Sequence, residues 1–108
     1  MAQLSVAPAI HQTFVTRYPK LGRAWELIDE EGADGPLDAT TRRLVKLGIA
    51  IGAMREGAVH SSVRKALAEN ISPEALEQVT ALAAGTLGMP ACVAAFSWVR
   101  EVVEKRGT

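Results

Sequence analysis

The sequence predicts an all-α protein, a single domain of six helices spanning residues 1–108 that assembles as a homo-oligomer. Three observations lead there. Apolar residues recur at helical spacing through most of the chain, and no strand-like alternation persists beyond a few residues. Proline and glycine fall where helices start and stop. The stretch from Leu47 to Met54 is apolar or glycine on every side, which in a helix signals burial all round, either at the centre of the fold or at a subunit interface.

The elements follow in order. Pro8 opens a short first helix through Ile10, Phe14 and Val15 to Tyr18. Pro19 suits the first position of a second helix, where a missing N–H loses no bond, and Leu21, Ala24, Trp25 and Ile28 continue it at helical intervals. Gly32 ends that helix, and Gly32 to Pro36 forms a loop. Asp38 is an N-cap for the third helix, because its carboxylate can accept an orphan N–H of the first turn. That helix begins amphipathic, with Arg42, Arg43 and Lys46 opposite Leu44 and Leu47, before its all-apolar stretch. Gly52 and Gly57 weaken continuity, so the spacing predicts a break near Arg55 to Gly57 and a fourth helix from about Ala58 to Asn70. Ser72 caps the fifth helix, with Pro73 just inside it and Glu74 and Glu77 near its positive end. Its stripe is Leu76, Val79, Thr80, Ala83 and Leu87, widened by Leu82 and Ala84. Gly88 closes it and Pro90 starts the last helix, where Cys92, Ala95, Phe96, Val99 and Val103 share a face.

Composition excludes several function classes. Twelve Lys plus Arg balance twelve Asp plus Glu, so the basic excess of a nucleic-acid or anionic-membrane module is missing. One cysteine excludes an intrachain disulfide framework, a four-cysteine zinc site and a two-thiol redox centre within one chain. His11, His60 and Cys92 sit on separate helices without a ligand spacing, so no metal and no other cofactor is expected. No apolar run reaches the length of a membrane span. Met1 to Ala9 carries no basic patch ahead of an apolar core, so no signal peptide is read and the expected compartment is the cytoplasm.

Three stretches, LDATTRRLVKLGIAIG, VRKALAENISPEALEQV and TLGMPACVAAFSW, resemble in order the carboxymuconolactone decarboxylase family, which includes the alkylhydroperoxidase D-type proteins. The likeness runs from Leu37 to Val99. It implies an all-α fold of the alkylhydroperoxidase D-like type, built into trimers or hexamers. It also implies one of two chemistries: peroxide reduction through a CxxCxxxH motif with an upstream glutamate, or decarboxylation of a lactone carboxylate. Aligned on Leu37-Asp38 and Ser72-Pro73-Glu74, the glutamate falls on Arg43, the two cysteines on Arg55 and Ala58, and the histidine on Ser62. All four are substituted, so thiol peroxidase chemistry lacks both its attacking and its resolving thiol.

The candidate site residues are then cationic and basic. Arg43 and Arg55, at positions that face the pocket in the relatives, are expected to clamp a carboxylate, with ion pairing to glutamate as the plain alternative. Glu56, His60 and Arg64 share a helical stripe at i, i+4 spacing. There His60 could serve as an acid or base oriented by Glu56, with Arg64 holding an anion, or the three could form a solvated ion-pair row. The implied function is binding or decarboxylating a small carboxylate or lactone acid without redox thiols. The alternatives are a non-catalytic oligomeric scaffold member of the family, and peroxide reduction by an atypical route through Cys92 and an external thiol.

Overall fold

The computed structural model describes residues 9–106. Among them six helices and no strand are found: α1 (Ala9–Arg17), α2 (Pro19–Ala33), α3 (Ala39–Gly52), α4 (Glu56–Ala68), α5 (Pro73–Leu87) and α6 (Met89–Arg106). The opening proline at position 8 lies outside the described residues.

Local chemistry explains most of the boundaries. Pro19 occupies the first turn of α2. The carboxylate of Asp38 accepts the N–H of Thr41 at 2.8 Å, and the hydroxyl of Ser72 accepts that of Ala75 at 3.1 Å, so both expected caps are made. Gly88 joins α5 to α6 at φ 87, ψ 162, a conformation essentially closed to residues with a Cβ. At two helix ends the left-handed residue is not a glycine. At the end of α3, Met54 takes φ 54; its N–H donates to Ile51 O and that of Arg55 to Ala50 O. At the end of α4, Asn70 takes φ 65, with Asn70 N–H to Leu67 O and Ile71 N–H to Ala66 O. Both are Schellman closures, in which paired backbone bonds satisfy the last carbonyls. The expected break therefore falls earlier than the glycines suggest. It lies at residues 53–55, Gly57 sits in the first turn of α4, and α4 begins at Glu56 rather than near Ala58.

Helices α3, α4, α6 and α5 pack as a closed ring, each against the next, around Leu47, Ile51, Val59, Val63, Leu76, Ala95 and Val99, all fully buried. Two buried polar groups on α5 and α6 are satisfied inside this core. The Thr80 hydroxyl donates to Glu77 O, and the Cys92 thiol donates to Thr80 O at 2.9 Å. The all-apolar stretch of α3 turns out to be one-sided: Leu47, Ala50 and Ile51 are buried, but Ile49 is 65% exposed. Likewise Phe96 and Leu82 face outward, and Val102 joins Cys92, Ala95 and Val99 on the buried face of α6.

Helices α1 and α2 stand apart from the ring. They pack on one another closely enough that a Cβ at Gly22 would lie 3.1 Å from the Val15 Cβ. Neither contributes a buried residue. An ion pair between Lys46 of α3 and Asp29 of α2 at 3.2 Å ties the arm to the ring.

Candidate functional site

Asp38 caps the start of α3, and the opening turns of that helix carry Arg42, Arg43 and Lys46. They line a cleft of about 530 Å³ together with Asp29 and Glu30 of α2, Leu37, Val45, Ile49 and Glu69. Arg43 is held by a carboxylate partner. Its Nε and Nη2 donate to the two oxygens of Glu69 at 3.2 and 3.3 Å, a two-pronged match of guanidinium to carboxylate. Its side chain is only 17% exposed. Arg42 donates from Nη1 to the carbonyl of Leu37. Three cations and three carboxylates line the cleft, so its walls carry no net charge. Behind Arg43, Lys65 of α4 is half-buried. Burial, and then the neighbouring charge of Arg43, push its ammonium pKa below the ordinary lysine range.

The second group of residues lies elsewhere. The stripe of Glu56, His60 and Arg64 forms on α4, and α6 adds a carboxylate that local spacing could not reveal. His60 Nε2 stands 3.3 Å from Oε2 of Glu101 and 3.9 Å from Oε2 of Glu56. That nitrogen is sealed from solvent, yet neither contact is aligned as a hydrogen bond. His60, Arg64, Glu101, Val102 and Lys105 line a small cavity of about 110 Å³. One ligand atom each from Glu56, His60 and Glu101 falls within 4.8 Å of the others, so these three are the described residues that could share a metal ion.

The structure therefore divides the sequence-predicted residues. Arg43 lines the larger cleft, and His60 and Arg64 line the smaller cavity with Glu56 beside them. Arg55 lines neither; it is the exposed residue preceding α4, away from the Arg43 guanidinium's carboxylate partner. Glu69, Lys46, Arg42 and Glu101 are the additions from tertiary structure. Of the two other positions singled out in the sequence, Ala58 is exposed, while Ser62 is 6% exposed with a hydroxyl that meets no hydrogen-bond partner. Cys92 is buried and spends its S–H on Thr80 O, the opposite of the exposed, electropositive setting of a reactive thiol.

Among the described residues, no helix is long and apolar enough to cross a membrane. Neither a curated protein nor a solved structure is detectably similar to the chain. The model of the Carboxymuconolactone decarboxylase family matches residues 19–101, which takes in α2 through most of α6 and both walls of the Arg43 cleft. With that match over most of its length and an all-helical fold to accompany it, the chain belongs to the carboxymuconolactone decarboxylase family.

Proposed function

We propose that this protein binds a small carboxylate or lactone acid in the α2–α3 cleft, and decarboxylates it when the bound acid can delocalise the electrons of the broken C–C bond. The observation that carries this reading is the pre-set guanidinium of Arg43. It is held by two hydrogen bonds and little exposed, with Lys46 and Arg42 on the same wall and Leu37, Val45 and Ile49 offering apolar contact. The volume suits a small ligand. Glu69 occupies the place a substrate carboxylate would take, so ligand entry is an exchange of one carboxylate for another on Arg43. As carbon dioxide leaves, the bond's electron pair passes to an enolate, and fixed positive charge beside it lowers the barrier. His60 lines a different cavity, so within one chain the returning proton comes from water in the cleft.

The reading includes self-assembly. Helices α1 and α2 leave Phe14, Tyr18, Leu21, Trp25, Leu27 and Ile28 about half or more exposed, with no buried residue between them. Apolar surface of this kind normally marks an interface. A homo-oligomer, trimer or hexamer, would cover it.

The Glu69→Gln variant tests the clamp. Freed of its internal partner, Arg43 should bind a lactone carboxylate more tightly by calorimetry, by roughly tenfold if one charged hydrogen-bonded pair is released. Arg43→Ala should abolish that binding. Equal affinity in parent, Glu69→Gln and Arg43→Ala would end the reading. It would favour the second one, a non-catalytic oligomeric scaffold, for which the supporting observation is that every cation in the cleft already has an internal partner: Glu69 for Arg43, Asp29 for Lys46 and the Leu37 carbonyl for Arg42.

A further inference from the structure

We infer that Glu56, His60 and Glu101 form a binding site for a divalent transition-metal ion, bridging α4 to α6. This site is separate from the Arg43 cleft and stands or falls independently of the acid-binding reading.

The geometry is the first support. Bonds of about 2.0–2.2 Å from zinc to nitrogen and oxygen place neighbouring ligand atoms of a tetrahedron about 3.3–3.6 Å apart. His60 Nε2 and Glu101 Oε2 are already 3.3 Å apart, and Glu56 Oε2 is 3.9 Å from the same nitrogen. Glu56 and His60 lie one turn apart on α4, so their side chains stand on one face. The carboxylates are 53% and 57% exposed, free to close the remaining tenths of an ångström, whereas the imidazole between them is held in the α4–α6 seam.

The second support is the state of the imidazole. Its Nε2 is buried with no hydrogen bond. An unsatisfied buried nitrogen is costly, and a metal ion occupying the position between the two carboxylates would satisfy it. The same ion would relieve the mutual repulsion of two carboxylates whose nearest oxygens lie within 4.8 Å of one another. Two carboxylates and one neutral imidazole match the charge of a divalent ion. A nitrogen in the set favours zinc over calcium and magnesium, which prefer all-oxygen shells. Arg64 and Lys105 line the adjoining cavity with His60 and Glu101. Their charges lower the site's affinity for a bare cation and favour water or an anion as its remaining ligand.

The test uses untagged full-length protein, zinc chloride and calorimetry, with calcium chloride in parallel. The expected result is one zinc per chain and no calcium. Glu101→Gln, on an exposed side chain, should weaken zinc binding by at least about tenfold, since even outer-shell partners of metal ligands are worth 10–100-fold. His60→Gln should abolish it. Zinc should also move the imidazole nitrogen resonances of His60 and leave those of His11 in place, a readout that needs no variant. No zinc uptake, or uptake that Glu101→Gln leaves unchanged with no movement of the His60 resonances, would overturn the site.

Discussion

Leu76 shows how a single residue holds this fold. It lies on α5, is wholly buried, and meets the ring core from the side opposite α4. Leu76→Ala should cost about 2–5 kcal/mol by chemical denaturation, the range for emptying a rigid core site. A cost below about 1 kcal/mol would mean that the ring collapses into the space. Lys65 acts in the other direction. Folding lowers its pKa, chiefly through burial and then through Arg43, so the unfolded chain holds the proton more tightly. Stability from this group is then fully present only above the ordinary lysine pKa of 10.5 and is lost as pH falls through the lower folded value. Lys65→Met should therefore raise the melting temperature at neutral pH, and its advantage should shrink as pH climbs toward 10.5. An advantage independent of pH would assign the gain to packing instead. Leu76 was readable from its place in an apolar stripe. Lys65 was not, because its burial, and then the charge of Arg43 on α3, come from packing between helices.

At the scale of elements, capping chemistry was the most legible feature. Asp38, Ser72, Pro19 and Gly88 all stand where the sequence places them. The α3–α4 junction was not, because the residue that takes the left-handed conformation is Met54 and the nearby glycines do not. A left-handed conformation costs a residue with a Cβ about 1–2 kcal/mol, partly offset for glycine by its greater freedom when unfolded. Met54→Gly should accordingly stabilise the protein by on the order of 1 kcal/mol in urea melts. A loss of stability would show that the half-exposed Met54 side chain contributes more in packing than its backbone costs. Helix α6 illustrates a different limit. Its stripe was placed correctly at Cys92, Ala95 and Val99, but its wide apolar arc hid which neighbours turn inward, and the structure selects Val102 over Phe96.

At the scale of the molecule, the ring of α3 to α6 has a closed core and the α1–α2 arm has none. The proposed homo-oligomer places the arm at the subunit contact. Native mass spectrometry should then show a trimer or hexamer. Trp25→Glu, which sets a charge at a half-exposed aromatic on α2, should shift the population to monomer, since buried unpaired charge is poorly tolerated in the centre of an interface. A parent protein that is monomeric at micromolar concentration would remove the arm from any assembly. The apolar surplus on α3 and α5 was visible as excess hydrophobicity in the sequence. That the larger surplus belongs to α1 and α2 was not, because each reads as an ordinary amphipathic helix and only its neighbours decide whether its apolar face is covered.

The sequence by itself determined the helical class, the number and approximate limits of the helices, the family likeness, and the lack of a second cysteine for a thiol pair within the chain. These depend on periodicity, on caps and on residue identity, which act within a turn or two of the chain. Tertiary structure decided which charges meet. Glu69 reaches Arg43, Asp29 reaches Lys46, and Glu101 reaches His60, each from a different helix. Helix packing sets those meetings to within an ångström, and no spacing along one helix encodes the register of another against it. The division of the expected single site into a cationic cleft and a histidine–carboxylate cluster is the result.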